Sequence, residues 1–596
     1  MNAILSERLD SLRRLMAEAG IDAVIIPQTD PHQSEYLAAH WQVRRWLSGF
    51  TGSAGSLVVT AKEALLWTDS RYFIQAAAQL ADTGIRLMKD GLSGTPSIVD
   101  YLCSTLGEET TVGIDGMLFS ESETRAIRNE LGRHGIRLMT SFDVIDQIWI
   151  DRPALPKEKV FVHDIKFAGR SAADKIKDIL QGVRDRGANA ILISALDEIA
   201  WALNIRSRDV NCNPVATAFL YLSIYGNTLF IDTDKLDEDV RKHLAEAGVA
   251  VLNYKDIIPF LEALPRGTIL VDENRTVTRL CAAIGDNAVA GQSPVAMLKA
   301  CKNDVQVDGV RAAMRRDGVA MVRSLIEIEK RMKEGKPTTE LDIADILTKY
   351  RSQGDYYFDL SFETIAGYGP HGAIVHYEAT PESSSTLRPE GLLLIDSGGQ
   401  YFDGTTDITR TIALGPTTEQ ERTDFTLVMK GHICLATITF PEGTRGAQLD
   451  VLARQFLWRN GMTYLHGTGH GVGHFLNVHE GPQSIRLNDV PATLRPGMIT
   501  SNEPGLYREN LHGIRCENLV LTVPAFENEF GKFLRFETLT LCPFDRSLFV
   551  VDMMTDDEIA WVDSYHRTVF EALSPMLEPD EVEWLAAATR PLLSEK

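Results

Sequence analysis

The sequence lacks the features of disulfide-stabilised, secreted and membrane-spanning proteins. Its seven cysteines are scattered and contain no CxxC pair, a usage typical of a reducing compartment in which thiols stay free. No apolar run approaches the roughly 18 residues that a membrane helix needs. Residues 1–20 have the pattern of an amphipathic helix without the apolar core of a signal peptide. We therefore expect a soluble, cytoplasmic protein without a membrane segment.

Positive charge is scarce as well. The 596 residues include 60 Lys and Arg against 82 Asp and Glu, which gives a formal net charge of -22. Nucleic acids and anionic membranes are bound by clustered basic residues, so we expect neither as a partner. The hydrophobic content of 44% excludes wholesale disorder. At about 150 residues per domain, the length suggests three or four domains.

Two segments of the N-terminal half resemble each other. In each, an amphipathic helix (residues 6–19 or 171–186) precedes a short buried strand, and strands and helices alternate afterwards. This pattern predicts two duplicated α/β domains. The proline-rich segment 151–156 separates them, which gives boundaries of 1–155 and 156–304.

The composition changes at about residue 304. Residues 304–333 carry a helical pattern rich in Arg, Glu and Met. A glycine-rich stretch with short predicted strands follows, and it contains most of the 14 histidines. We assign residues 305–596 to a third domain and expect the chemistry to lie beyond residue 350.

Four acidic residues of this third domain lie on predicted strands. Asp396 ends one strand and Asp407 lies on the next, with a glycine-rich turn between them that would let a hairpin bring the two carboxylates together. Glu503 ends a third strand, and Glu517 lies in the middle of an otherwise apolar strand, 513–522. Because a buried, unpaired carboxylate is unstable, we expect these acids to share counter-charges.

Two divalent cations would meet this requirement, since two Asp and two Glu together carry four negative charges. The histidine-rich segment 466–480 adds imidazoles between glycines that allow close backbone approach. Oxygen-rich ligation with one imidazole and no thiolate suits Mn²⁺, with Zn²⁺, Co²⁺ or Fe²⁺ as substitutes. Two such ions can hold a bridging hydroxide and polarise a carbonyl at the same time.

The order Asp, Asp, His, Glu, Glu on short strands resembles that of the pita-bread metallopeptidases, and most closely the long, three-domain form of the Xaa-Pro aminopeptidase (aminopeptidase P) family. The residues that carry the resemblance are Ile395-Asp-Ser-Gly-Gly-Gln-Tyr401, Asp403-Gly-Thr-Thr-Asp-Ile-Thr-Arg-Thr411, His466-Gly-Thr-Gly-His-Gly-Val-Gly473, Phe475-Leu-Asn-Val-His-Glu-Gly-Pro482 and Asn502-Glu-Pro-Gly505. Segments 48–55, 67–73 and 195–201 support it in the N-terminal half. The resemblance implies an α/β (α+β) protein with two creatinase-like N-terminal domains, followed by a pita-bread catalytic domain with a C-terminal extension.

The resemblance also implies a ligand set for two metal ions per chain. It consists of Asp396, Asp407, His470, Glu503 and Glu517. Asp407 and Glu517 would bridge or chelate the ions. Glu503 would also act as a general base.

Four further residues receive roles from the same resemblance, and Arg515 receives one from its position in the sequence. His376, His466 and His479 would be catalytic, binding the substrate and steadying the tetrahedral intermediate. Arg515, two residues before a ligand, would orient a ligand carboxylate through a salt bridge and so support substrate binding. Arg71 would reach the substrate from another domain.

Three other residues are interpreted as structural. His371 has no required role in the family pattern. Cys516 alternates away from the site and is expected to be packed and inert. Lys302 is expected only to open the first helix of the third domain.

The function implied by the resemblance is hydrolysis of the bond between an N-terminal residue and a following proline by a metal-bridging hydroxide. Two alternatives stay open: a prolidase, with the same chemistry confined to Xaa-Pro dipeptides, and a metal-free pita-bread binding module. Duplicated N-terminal domains argue against the first, and the complete ligand set argues against the second. By family analogy, we expect peptides with proline in the second position as substrates, and a homodimer.

Overall fold

The computed structural model describes residues 2–593, which form two compact units. The N-terminal unit comprises Met1–Ile165 and Arg170–Val295, and the C-terminal unit comprises Lys166–Gly169 and Ala296–Lys596. Both units mix helices and strands. Among residues 2–593, no helix combines the length and the apolar character that a membrane span requires.

The N-terminal unit begins with a six-stranded sheet. Its strands are β1 (Ala23–Ile26), β2 (Ser56–Thr60), β3 (Ala64–Thr68), β4 (Arg86–Lys89), β5 (Thr111–Gly113) and β6 (Arg137–Met139). The helices are α1 (Asn2–Glu18), α2 (Val43–Ser48), α3 (Phe73–Gln79), α4 (Ile98–Thr105), α5 (Glu121–Arg133) and α6 (Ile145–Ile148).

Both faces of this sheet are buried, which explains why β1 is apolar at every position. Val24 and Ile26 pack in one cluster with residues of α1. Ala23 and Ile25 pack in another cluster that includes residues of α4 and α5. Successive residues of a strand point to opposite faces, so a strand covered on both sides has a continuous apolar run.

A second six-stranded sheet follows in the same unit. The strands of this region are β7 (Phe161–Val162), β8 (Ala190–Ile193), β9 (Ile205–Arg206), β10 (Ala218–Ser223), β11 (Asn227–Ile231), β12 (Val249–Leu252), β13 (Ile269–Val271) and β14 (Ala288–Ala290). Its helices are α7 (Ile165–Ala168), α8 (Ala172–Arg184), α9 (Leu196–Leu203), α10 (Glu238–Glu246), α11 (Ile257–Glu262), α12 (Thr278–Ile284) and α13 (Pro294–Ala300), of which α7 and the end of α13 cross into the C-terminal unit.

The two sheets have the same topology. Their strand orders are β4-β3-β2-β1-β5-β6 and β12-β11-β10-β8-β13-β14. The central strands β1 and β8 each pair antiparallel with one neighbour and parallel with the other. The same order and the same pairing sense are what the predicted duplication requires.

The C-terminal unit contains the remaining elements. Its helices are α14 (Asp304–Lys333), α15 (Glu340–Arg351), α16 (Glu419–Thr437), α17 (Gly446–Trp458), α18 (Asp556–Leu573) and α19 (Pro579–Ala588). Its strands are β15 (Tyr357–Leu360), β16 (Ile365–Tyr368), β17 (Leu392–Ser397), β18 (Gly399–Tyr401), β19 (Gly404–Thr405), β20 (Ile408–Ala413), β21 (Thr439–Pro441), β22 (Gly469–Gly471), β23 (Glu480–Ile485), β24 (Ile499–Asn502), β25 (Gly505–Arg508), β26 (His512–Arg515), β27 (Asn518–Asn528) and β28 (Gly531–Thr538).

These strands form several small sheets and one larger one. The larger sheet has the order β21-β28-β27-β24-β22-β23. Two three-stranded sheets have the orders β16-β17-β20 and β15-β18-β19, and β25 pairs with β26 as a hairpin. The candidate site lies where the ends of β17, β20, β22, β24 and β27 meet.

Helix α14 begins and ends where the sequence predicts. Asn303 caps it by accepting a hydrogen bond from the Gln306 backbone N–H at 3.0 Å, and the Gln306 side chain accepts one from Asn303 N–H at 3.2 Å. Three basic residues in the last turn complement the helix dipole. Gly309 and Gly318 allow other segments to pack closely against the helix, because a Cβ at either position would overlap a backbone carbonyl of the packed segment.

A turn at Gly369–Ala373 packs directly on strand β26. The backbones of Gly372 and Gly513 approach so closely that a Cβ on Gly513 would overlap the Gly372 carbonyl oxygen. The atoms that it would meet belong to the backbone, and backbone cannot rotate away as a flexible side chain can. Glycine is therefore required at position 513 for space.

We expect Gly513→Ala to destabilise the C-terminal unit by about 2 kcal/mol or more, because backbone atoms have to move to admit the methyl group. Calorimetric unfolding would detect a lower melting temperature. The matched control is Gly132→Ala in α5, where no atom lies within 4 Å of an added Cβ and alanine is the better helix former by about 0.5–1 kcal/mol. An unchanged melting temperature for Gly513→Ala would contradict the contact.

Candidate active site

Two of the predicted ligands lie on or beside the antiparallel pair β17–β20. Asp396 lies on β17 opposite Thr409 of β20, and Asp407 directly precedes β20. The simple hairpin predicted between the two acids is wrong in one respect, because the connection forms two further strands, β18 and β19, which belong to the sheet of β15. Both carboxylates are nevertheless buried at the same end of the β17–β20 pair.

Glu503 and Glu517 come from neighbouring strands of the larger sheet. Strands β24 and β27 pair antiparallel with Asn502 opposite Asn518, so Glu503 and Glu517 leave the paired region side by side. The prediction that Glu517 lies in the middle of one strand is wrong, because the chain leaves β26 before it and enters β27 after it. At this break, Glu517 N–H donates to the carbonyl oxygen of Thr409 at 3.1 Å. This bond joins two sheets at the site.

Thr409 and Arg410 hold the two pairs of acids together. The Thr409 hydroxyl donates to Glu517 Oε2 at 2.8 Å and accepts from Arg515 Nε at 3.3 Å. Arg410 is fully buried and donates to the Glu517 carbonyl oxygen at 2.6 Å and to Asn518 Oδ1 at 2.8 Å. Sequence reasoning missed both residues, because on β20 they look like ordinary strand residues until the partner strand is known.

His470 lies on β22 next to these acids. Its Nε2 is 3.4 Å from Asp407 Oδ2 and 3.4 Å from Glu503 Oε1, and its Nδ1 is 3.0 Å from the carbonyl oxygen of Gly471. Burial lowers the pKa of His470, but the carboxylates of Asp407 and Glu503 outweigh it and raise that pKa to about 9. The imidazole is therefore protonated at neutral pH when no other cation is bound.

Burial and mutual repulsion favour protons on the acids. Burial, together with the neighbouring carboxylates, raises the pKa of Glu503 to about 7 although nearby cations oppose it. Burial, followed by the charges of Asp407 and Glu503, raises the pKa of Glu517 well above its ordinary range. Burial also raises the pKa of Asp396, although Arg515 counteracts it. The site therefore favours the binding of positive charge.

The acids also present the open acceptors that a metal ion requires. Asp396 Oδ1 and Glu517 Oε1 are buried and have no hydrogen-bond partner within residues 2–593, although buried polar atoms are normally satisfied. Ligand atoms of Asp407, His470 and Glu517 lie within 4.8 Å of one another. This donor set, oxygen-rich with one imidazole, fits a divalent metal ion.

Arg515 supplies permanent positive charge beside the acids. Its buried guanidinium donates through Nη2 to Asp396 Oδ2 at 2.6 Å and to the carbonyl oxygen of Val375 at 3.3 Å. Arg515 Nη1 also donates to the Tyr507 hydroxyl at 2.7 Å, and that hydroxyl is 2.8 Å from His466 Nε2. Burial raises the pKa of Tyr507 to about 12, so the phenol keeps its proton and donates to His466.

Sequence reasoning missed Tyr507. The available signal was its place on β25, in the short hairpin between Glu503 and Glu517. An aromatic hydroxyl there is held close to both glutamates by chain connectivity alone. The pairing of β25 with β26 then places Tyr507 opposite Gly513, on the hairpin that also carries Arg515.

The three predicted substrate-binding histidines lie next to residues that contact the acids or one another. His466 is held on both sides, with Nδ1 2.7 Å from the carbonyl oxygen of Gly467 and Nε2 facing Tyr507. The His479 ring lies edge-on to the His470 ring with centroids 4.3 Å apart. His376 directly follows Val375, whose carbonyl oxygen accepts from Arg515.

The residues interpreted as structural have specific contacts. Lys302 is buried and donates to the Val472 carbonyl oxygen at 2.6 Å, so the expectation that it only opens α14 is wrong. His371 Nδ1 hydrogen-bonds Glu340 Oε1 at 2.9 Å. Cys516 belongs to an apolar cluster, and burial raises the pKa of its thiol to about 12, which makes it a poor nucleophile.

Arg71 lies in the N-terminal unit and is paired within it. Its Nε and Nη2 donate to the two carboxylate oxygens of Asp69 at 2.9 and 2.7 Å. Its guanidinium carbon lies 5.4 Å from the centroid of the Tyr72 ring. These contacts fix the side chain within its own motif, and its reach to a substrate stays a prediction.

Family models account for nearly the whole chain. Residues 308–524 match metallopeptidase family M24, and residues 532–592 match the C-terminal region of that peptidase. Residues 8–148 and 151–306 each match a creatinase/prolidase N-terminal domain. The predicted fold class, two creatinase-like domains followed by a pita-bread metallopeptidase domain, is confirmed.

Individual relatives match over the full length. The chain is 40% identical over 631 residues to aminopeptidase P2 of Arabidopsis thaliana, with 99% of this chain and 89% of the relative covered. It is 40% identical over 606 residues to a probable Xaa-Pro aminopeptidase P of Laccaria bicolor, with coverage of 98% and 94%.

Solved structures show the same relationship. An X-prolyl aminopeptidase from Caenorhabditis elegans, described as a cytosolic enzyme with a di-nuclear active site, matches with a TM-score of 0.95 and 35% identity over 98% of this chain and 99% of that one. A prolidase from Pyrococcus horikoshii OT3 shares the fold over 62% of this chain and 99% of that one, with a TM-score of 0.50 and 20% identity. The predicted resemblance is confirmed: the chain belongs to metallopeptidase family M24, in the form that carries two creatinase-like N-terminal domains.

Proposed function

We propose that this chain is a metal-dependent aminopeptidase that hydrolyses the bond between an N-terminal residue and a following proline. The observation that carries the proposal is the group formed by Asp407, His470 and Glu517, whose ligand atoms lie within 4.8 Å of one another. Beside it, buried carboxylate oxygens of Asp396 and Glu517 have no hydrogen-bond partners among the described residues. Full-length relatives that carry the name Xaa-Pro aminopeptidase P support the substrate class.

In this proposal, two divalent ions are held by Asp396, Asp407, His470, Glu503 and Glu517. The di-nuclear active site of the Caenorhabditis elegans relative supports the number of ions. We propose Mn²⁺ because oxygen ligands predominate and the buried Cys516 thiol belongs to an apolar cluster; Zn²⁺, Co²⁺ and Fe²⁺ are the substitutes. When bound, such ions lower the pKa of water and polarise a carbonyl group.

The residues of the chain then move and hold protons around the reaction. Glu503 would take the proton that water loses and return it to the departing proline nitrogen. Arg515 orients Asp396 with two N–H···O bonds, at 2.6 and 3.2 Å. Tyr507 stays neutral and fixes the ring of His466.

We assign substrate binding to the histidines that surround the acids. His466 and His479 would bind the substrate around the scissile carbonyl, and His376 would bind on the side where Val375 meets Arg515. Arg515 supports the substrate site through these contacts. Arg71 would contact the substrate from the N-terminal unit.

Three further statements belong to the same proposal. The assembly is a homodimer by family analogy. The location is the cytosol, as for the Caenorhabditis elegans relative. The domains are 1–155, 156–304 and 305–596, the first two creatinase-like and the third catalytic.

The choice of peptide bond distinguishes this function from its alternatives. After chelator treatment and restoration with Mn²⁺, we expect release of arginine from Arg-Pro-Pro with a kcat/KM at least about 100-fold above that for Arg-Ala-Ala. Amino-acid analysis of the products measures both. Cleavage confined to the dipeptide Ala-Pro would identify a prolidase. No cleavage with Mn²⁺, Zn²⁺, Co²⁺ or Fe²⁺ would favour the binding module.

Asp407→Asn tests the ligand set. We expect loss of bound metal and a fall in kcat of at least about a thousandfold, because the carboxylate beside His470 is removed from the site. Metal analysis and peptide hydrolysis measure the two effects. The matched control is Asp403→Asn, four residues earlier, where the carboxylate pairs with Arg316. Full metal content and turnover in Asp407→Asn would show that the assignment is wrong.

Metal binding should release protons. At pH 6–8, His470 carries a proton because its pKa is about 9, and a metal ion has to displace that proton. We therefore expect metal affinity to rise by about tenfold or more per pH unit over this range, with at least one proton released per chain. Calorimetry in buffers of different ionisation enthalpy counts the protons. His134→Asn, at an exposed histidine of the N-terminal unit, should leave the count unchanged, and a pH-independent affinity would contradict the assignment of His470.

A further inference from the structure

A second buried carboxylate with an unusual number of donors lies outside the metal cluster. Glu340 is the first residue of α15, and its side chain is fully buried. Its Oε1 accepts hydrogen bonds from Tyr368 N–H at 2.8 Å and His371 Nδ1 at 2.9 Å, and its Oε2 accepts from the Tyr377 hydroxyl at 2.9 Å and Ser385 N–H at 2.7 Å. Four donors on one carboxylate saturate both of its oxygens.

All four donors belong to one segment, residues 368–385, which we name the His376 loop. After the turn Gly369–Ala373, the chain forms no helix or strand between 374 and 391, apart from a single bridge of Thr386 to Thr339. Backbone pairing therefore does little to define the path of this loop. The carboxylate of Glu340 defines the path instead, because it accepts hydrogen bonds from residues at both ends of the loop and in its middle.

The loop is also fixed from the side of the metal cluster. Arg515, which contacts Asp396, donates to the carbonyl oxygen of Val375. His376 thus lies between two anchored neighbours, Val375 on Arg515 and Tyr377 on Glu340. The Tyr377 ring is further held by stacking on the His371 ring, with centroids 4.4 Å apart.

We propose that Glu340 is a positioning residue that fixes the His376 loop, so that His376 meets the substrate in a defined orientation. The proposal rests on the substrate-binding role given to His376 above. It makes substrate binding depend on a carboxylate that is separate from the metal ligands. Removing the Glu340 charge should therefore impair substrate handling and leave metal binding intact.

The substitution Glu340→Gln tests this with little change in volume. Each carboxylate oxygen accepts from one backbone N–H, that of Tyr368 or that of Ser385. A backbone N–H cannot become an acceptor, so either orientation of the glutamine amide sets its NH₂ group against one of these donors. The loop loses at least one anchor in both orientations.

Asp342→Asn is the matched control. Asp342 lies two residues further along the same helix turn and accepts from the backbone N–H and the hydroxyl of Thr339, at 2.7 and 2.8 Å, as part of the helix cap. It undergoes the same change from carboxylate to amide without contacting the loop. If Glu340 only stabilised α15, Glu340→Gln and Asp342→Asn should have the same effect on kcat/KM.

The kinetic test is a double-mutant cycle on the full-length, Mn²⁺-loaded protein with Arg-Pro-Pro. We expect Glu340→Gln to lower kcat/KM by about tenfold or more with unchanged metal content, and Asp342→Asn to stay within about twofold of the unmodified protein. If Glu340 acts through His376, adding Glu340→Gln to His376→Ala should lower kcat/KM by no more than about twofold further. Independent losses that multiply, or an unchanged kcat/KM in Glu340→Gln, would overturn the proposal.

A second measurement needs no substrate. Hydrogen–deuterium exchange of the metal-loaded protein should become faster within residues 368–385 in Glu340→Gln and remain unchanged there in Asp342→Asn. Unchanged exchange in the loop would overturn the proposal even if the protein cleaved no peptide, so this result is independent of the proposed function. If Glu340→Gln does not fold, Tyr377→Phe removes one of the four donors and should give the same changes with a smaller size.

Discussion

Four carboxyl groups that lie close together repel one another, and the contacts around them in the C-terminal unit counteract that repulsion. Without added cations, the protein relieves it with the guanidinium of Arg515, with a proton on His470, and by raising the pKa of Glu503 and Glu517. Each of these responses weakens when divalent ions supply positive charge more compactly. Metal binding and proton release are thus linked, because both change the positive charge that offsets the same carboxylates.

The acids can be held together only because a dense framework of neutral and charge-assisted hydrogen bonds opposes their separation. Thr409 and Arg410 connect the β17–β20 pair to the larger sheet through the backbone and side chain of Glu517. The close contact of Gly372 with Gly513 adds a steric limit on the other side of the β25–β26 hairpin. A site that depends on several small sheets has few local hydrogen-bond ladders to define it. Hydrogen bonds between individual side chains therefore fix much of the geometry of the acids.

The proposed metal ligands and the proposed substrate-binding histidines are held by separate residues in this arrangement. Tyr507 orients His466 from the hairpin between the two glutamates, whereas Glu340 orients the loop of His376 from the start of α15. Arg515 connects these two groups of contacts, since it hydrogen-bonds Asp396, Tyr507 and the His376 loop. Such a division allows substrate preference to change by substitutions around the loop while the metal cluster remains intact.

Features that depend on short stretches of chain could be predicted from the sequence. The helical pattern gave the bounds of α14, the apolar runs gave β1 and β8, and the similarity of two segments gave the duplicated α/β domains. The acids and histidines of the site were recognisable because their types and order form a pattern. Three features followed only from the packed structure: Glu517 lies at a break between strands, Thr409 bonds to Glu517, and Glu340 holds residues 368–385. The physical reason is that these contacts join residues roughly 30 to 110 positions apart, and no local propensity specifies which buried donor meets which distant acceptor until the whole unit has packed.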